Sequence, residues 1–168
     1  AEVKLGKGSI RDVEFVTQYL QLVYGEKHPE IRSRNTLRGL RHLLAHGLIS
    51  TVDYRVLTDG YTFLRPVEHY LQLVHNRQTH TLPADPGELD YLARRLGFSG
   101  ASPGAEFLAR YQQHTAAIRA VYQRHLESEN VNDSEDTRRP TRAPDIQSHV
   151  ARMAPSYATV FSQAEIRR

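Results

Sequence analysis

Ser9-Ile10-Arg11-Asp12-Val13-Glu14-Phe15-Val16-Thr17-Gln18-Tyr19-Leu20-Gln21-Leu22-Val23-Tyr24-Gly25 is the stretch on which the fold turns. Ile10, Val13, Val16, Leu20 and Val23 recur at three- and four-residue intervals, which is one face of an α-helix and not the alternation of a strand. Ser9 offers a helix cap, and Asp12 stands where a capping box needs an acid, with Asp in place of the usual Glu. Gly25 is a natural stop, so a first helix is expected over about residues 9–24. On its other side Arg11, Glu14, Gln18 and Gln21 line up as a polar stripe. Asp12 and Phe15 beside that stripe mark a surface fit to pack on another domain.

The same period repeats downstream. Leu37, Leu40, Leu43 and Leu44 predict a second helix from about Ser33 to His46, closed by Gly47. Ser50 caps a third, with Asp53 again at the capping-box position, and the apolar pattern runs to about Asn76. Pro66 lies inside it, has no N–H to donate, and predicts a kink near Thr62 to Arg65. Thr79 to Ala84 read as a loop, and Asp85-Pro86-Gly87-Glu88 is a compact helix start: cap, first-turn proline, first-turn acid. That fourth helix ends at Gly97, and Ser102-Pro103 opens a fifth that Phe107, Leu108, Tyr111, Ile118, Val121 and Leu126 carry to about residue 126. Glu127 to Pro144 holds Val131 and Ala143 among polar residues and prolines, too little apolar surface to offset the entropy of ordering. The expected organisation is therefore an all-α bundle of about five helices with a long kinked third helix over residues 1–126. A flexible linker over 127–144 and a short helical tail over 145–168, its role unassigned, follow.

Composition narrows the function classes. Lys and Arg number 22 against 19 Asp and Glu, a balance of +3 with the signs interleaved, which gives no basis for nucleic-acid binding. Cysteine is absent, so disulfides, thiolate nucleophiles and Cys-based zinc sites are excluded. No apolar run reaches the length of a membrane span and Ala1 to Lys7 lacks the apolar segment of a secretory signal, so a cytoplasmic protein is expected. A first residue other than Met points to an excised or processed piece. Neither a Gly-x-Ser-x-Gly elbow nor a Walker loop is present.

Lys4-Leu5-Gly6-Lys7-Gly8-Ser9 leads straight into the first helix. Glycines let backbone N–H groups approach an anion at the positive helix end, and Lys4 and Lys7 add charge; the alternative is a flexible lead-in with a good cap. His42 and His46 stand four residues apart, but no third ligand has a recognisable spacing, so no metal ligand is assigned. Tyr19, Tyr24, Tyr61, Tyr70 and Tyr91 lie near apolar partners and read as residues at the core's edge.

Val3-Lys4-Leu5-Gly6-Lys7-Gly8-Ser9-Ile10-Arg11-Asp12-Val13-Glu14-Phe15 resembles a motif of the bacterial bifunctional glutamine synthetase adenylyltransferase/adenylyl-removing enzymes. Thr17 to Leu22, His28-Pro29, Ile31-Arg32-Ser33, Tyr61-x-Phe63-Leu64-Arg65-x-x-Glu68 and Gln78-Thr79-His80-Thr81-Leu82-Pro83 continue the likeness in order, over about residues 2–126. The last two look more like the first, adenylyl-removing half of such enzymes. Ser9 and Pro66 depart from the pattern, Ser9 standing where a second Gly is usual. The resemblance implies a PII-uridylyltransferase-like helical domain placed after a nucleotidyltransferase domain. It implies that Lys4, Gly6, Lys7, Gly8, Ser9, Arg11, Asp12 and Glu14 lie at the nucleotide cleft or the interface with that domain. Implied partners are the nucleotidyltransferase domain itself, glutamine synthetase and the PII signal protein, with magnesium and ATP or ADP held by the parent enzyme. The metal-binding Asp-x-Asp carboxylates of that chemistry have no counterpart here, so no catalytic residue is assigned and the chain alone is expected to be inactive. The alternative reading is a stand-alone helical adaptor.

Overall fold

The computed structural model describes residues 2–75 and 81–126. The expected linker and tail, and Gln78 to His80 of the last motif, lie outside the described residues. The chain forms α1 (Ile10–Tyr24), a 3-10 turn (Pro29–Ile31), α2 (Thr36–Ala45), α3 (Thr51–His75), α4 (Pro86–Arg95) and α5 (Pro103–Leu126). Among the described residues there is no strand, only one isolated antiparallel bridge between Glu2 and Thr81. No helix among them is long and apolar enough to cross a membrane.

The helix starts follow the cap chemistry with three local revisions, of which one, at Ser9, leaves the expected cap without a side-chain hydrogen bond. Asp85 caps α4 by accepting the Glu88 N–H at 2.9 Å, and Ser50 Oγ accepts the Asp53 N–H at 3.0 Å. The second helix begins later than its apolar pattern predicts. Asn35 is its cap, accepting the Arg38 N–H at 2.9 Å, while Ser33 closes a tight turn with the backbone of Asn35. Asp53 does not complete a capping box. Its buried carboxylate pairs instead with Arg124, and with His125 Nε2 at 3.0 Å, tying the first turn of α3 to the last turn of α5.

α3 packs on α5 and α1, α5 also carries α4, and α2 covers α1 and α3. Leu57, Leu64 and Leu71 of α3 and Phe107 and Ile118 of α5 are fully buried, and Phe63 stacks on Phe107 across the α3–α5 seam. Gly60 allows that seam to close, since a Cβ there would overlap the Ile118 side chain. The helical run of α3 continues through Pro66. Leu64, Val67 and Leu71, all buried around the proline, supply packing that holds the helix together across the missing hydrogen bond. Gly25 ends α1 in a right-handed conformation, with its N–H on the Gln21 carbonyl at 2.9 Å.

Candidate functional site

The glycine-rich lead-in lies against the bundle and does not project from it. Val3 is fully buried, and Tyr111 of α5 donates its hydroxyl to the Glu2 carbonyl at 3.2 Å. Burial, and then the nearby Glu2 charge, push the Tyr111 phenol above its ordinary pKa, so it stays a donor. Gly8 has a φ of +72° and sits so close to α5 that a Cβ would overlap the Thr115 carbonyl. The close backbone approach that glycine permits is therefore made to the chain's own fifth helix. Ser9, at the second-glycine position of the motif, has a φ of −85°, extended backbone open to any residue, which explains why serine is tolerated.

The start of α1 already carries a carboxylate. Asp12 Oδ2 accepts the Gly8 N–H at 2.7 Å and lies 3.8 Å from the Arg119 guanidinium, which in turn covers the Tyr122 ring at 4.5 Å. Phe15 meets the same Tyr122 ring at 6.0 Å. Asp12 and Phe15 thus pack on α5 of this domain. Ser9 is buried, and its hydroxyl makes no cap hydrogen bond and has no partner. Asp12 reaches back past it to satisfy Gly8, a favourable place for negative charge at a helix N-terminus.

A ladder of polar side chains then joins the lead-in and α1 to α3. Glu14 accepts the Tyr61 hydroxyl at 3.4 Å, and the Arg65 guanidinium lies over the Tyr61 ring at 5.5 Å. Arg65 pairs with Glu68 at 2.9 Å, and Lys4 approaches the same carboxylate at 3.4 Å. Glu68 is 3% exposed, and such burial of a carboxylate requires this double pairing. The motif Lys4 to Glu14 and the motif Tyr61 to Glu68, distant in sequence, are one structure. The partner of Glu14, a member of the polar stripe of α1, thus comes from another helix. Gln21, the last member of the polar stripe, donates to the carbonyls of Ile31 at 2.8 Å and Ser33 at 3.2 Å, stapling the following loop.

Of the eight sequence-derived site residues, Lys4, Gly8, Asp12 and Glu14 hold the fold's edge together, while Gly6 accepts the N–H of the buried Ser9 at 3.2 Å in the turn before α1. Lys7 and Arg11 are exposed, and they are the cations this edge presents outward. Asp12 is engaged by Gly8 and Arg119, and Glu14 by Tyr61. The group of side chains with metal-ligand chemistry among the described residues lies elsewhere, at His28, Glu30 and His46. Sequence reading missed it because His28 and Glu30 are brought to His46 by a turn with no periodic signature.

A family model described as GlnD PII-uridylyltransferase matches residues 1–126. A bifunctional glutamine synthetase adenylyltransferase/adenylyl-removing enzyme of Streptomyces avermitilis is 38% identical over 123 residues, 73% of this chain and 12% of that protein. The Burkholderia mallei enzyme of the same description is 41% identical over 121 residues, 72% and 13% of the two chains. That of Bordetella bronchiseptica is 34% identical over 142 residues, 84% and 15%. The chain thus spans 12–15% of the length of these curated relatives.

Proposed function

The chain belongs to the GlnD PII-uridylyltransferase family, and from that premise we propose that it is the helical domain that flanks the catalytic site of a glutamine synthetase adenylyltransferase/adenylyl-removing enzyme. Its edge from Lys4 to Glu14 faces the neighbouring nucleotidyltransferase domain. The observation that supports this most is the interlock of Lys4 to Glu14 with Tyr61 to Glu68. Two stretches of the family likeness build one braced edge, and that edge leaves Lys7 and Arg11 exposed. A rigid support for an outward cation is what a domain needs to position charge against a neighbour's phosphate or carboxylate.

In this reading Arg11 neutralises phosphate oxygens at the cleft or pairs with an acid of the adjoining domain. Magnesium and ATP or ADP are held by that domain and not by this one, whose acids at the edge are engaged in its own fold. The relatives' descriptions name glutamine synthetase as what they act on, and we propose it, with the PII signal protein, as a partner of the whole enzyme.

Arg11→Ala in the full-length protein is the test. Release of ADP from AMP-modified glutamine synthetase, with phosphate, magnesium and PII protein present, should fall by about tenfold or more. That is the loss expected for one charge-assisted contact worth about 1.5–3 kcal/mol. Melting behaviour should be unchanged, because Arg11 is exposed. Unchanged turnover together with unchanged nucleotide affinity would refute the placement and favour a helical adaptor.

A further inference from the structure

We propose that His28, Glu30 and His46 form a binding site for one divalent cation of the zinc class, with two imidazole nitrogens and one carboxylate oxygen as ligands. Glu30 Oε1 lies 3.2 Å from His28 Nδ1 and 3.3 Å from His46 Nε2, and the three ligand atoms all fall within 4.8 Å of one another. Two ligands about 2.0–2.1 Å from a tetrahedral ion stand about 3.3–3.4 Å apart, so two of the three edges already have the length a bound ion requires. The third edge, between the two rings, closes with a small movement of half-exposed side chains whose ring centroids are 5.3 Å apart.

The backbone beneath these ligands is fixed. His28 caps the 3-10 turn, Glu30 lies within it, and His46 caps the C-terminal end of α2. Gln21 holds the carbonyls of Ile31 and Ser33, Ile31 is fully buried, and His42 Nδ1 engages the Glu30 carbonyl at 2.7 Å. The histidine pair that spacing along α2 offered is thereby split. His46 is a ligand, whereas His42 braces the turn that carries Glu30. Nitrogen and carboxylate donors without sulfur select zinc-class ions over calcium or magnesium, and three protein ligands leave a fourth position for water. A bound ion clamps the turn to the end of α2.

Titration calorimetry of the purified 168-residue chain with Zn²⁺ alone, in a non-chelating buffer, tests the site. One ion per chain is expected. Glu30→Gln and His46→Ala should each weaken binding at least tenfold, while His69→Ala, an exposed histidine outside the cluster, leaves it unchanged. Zn²⁺ should also raise the melting temperature of the parent chain and not that of Glu30→Gln, a substitution at an exposed position that leaves the fold intact. Absence of a saturable one-to-one uptake overturns the proposal. So does uptake by Glu30→Gln and by the double variant His28→Ala/His46→Ala that matches the parent chain.

Discussion

Two neighbouring residues, Gly8 and Ser9, invert the usual expectations for a helix cap. Gly8→Ala should cost at least about 2 kcal/mol in urea unfolding. A side chain at φ +72° is strained by about 1–3 kcal/mol, and its Cβ would also overlap the Thr115 carbonyl. Ser9→Ala should be neutral or stabilising by up to about 1 kcal/mol, although loss of a serine cap ordinarily costs about that amount. Its hydroxyl is buried without a partner, so removal takes away a desolvated polar group and no hydrogen bond. A destabilisation of Ser9→Ala by 1 kcal/mol or so, in the same urea experiment, would show that the hydroxyl finds a partner in solution. The sequence identified both residues, but it could not show which wall Gly8 approaches or that Asp12 accepts the Gly8 N–H.

Among the elements, the tie between α3 and α5 makes stability depend on acid. Burial raises the Asp53 pKa, but hydrogen bonds and charge from Arg124 and His125 outweigh it, and the carboxyl is held below its ordinary value. A group with a depressed folded-state pKa stabilises above its unfolded pKa, about 3.9 for Asp, and that stability is lost as pH falls through the lower folded value. Asp53→Asn should therefore cost about 1–2 kcal/mol at neutral pH, discounted for the half-exposed Arg124. The deficit should shrink below about pH 4, as read from urea midpoints across pH. A deficit that persists undiminished at pH 3 would exclude the ion pair as its source. All five helices were legible from apolar period and cap residues, because both are local signals. The 3-10 turn was not, since three residues carry no period, and Asn35 displaced Ser33 as a cap because Ser33 is drawn into the turn before it. Asp53 sits where a capping box would use it, but tertiary pairing with α5 outcompetes the local role.

The whole molecule is read most sharply where distant segments meet. Lys4 finds Glu68, and Glu14 finds Tyr61, across separations that no spacing rule reaches, so the family likeness could name these residues but not the partners they take within the fold. The 168-residue chain should release no ADP from AMP-modified glutamine synthetase above a no-protein control, since its acids at this edge are engaged in the fold. Release well above that control would place a complete catalytic centre in this chain. The fixing of Glu2 to α5 and of Lys4 to α3 also has a mechanical meaning. A pull on the chain at residue 2 meets the two longest helices, α3 and α5, before it reaches α1. Residues 2–9 are thereby moored to the bundle at several points, and a load on this end of the chain is shared between α3 and α5.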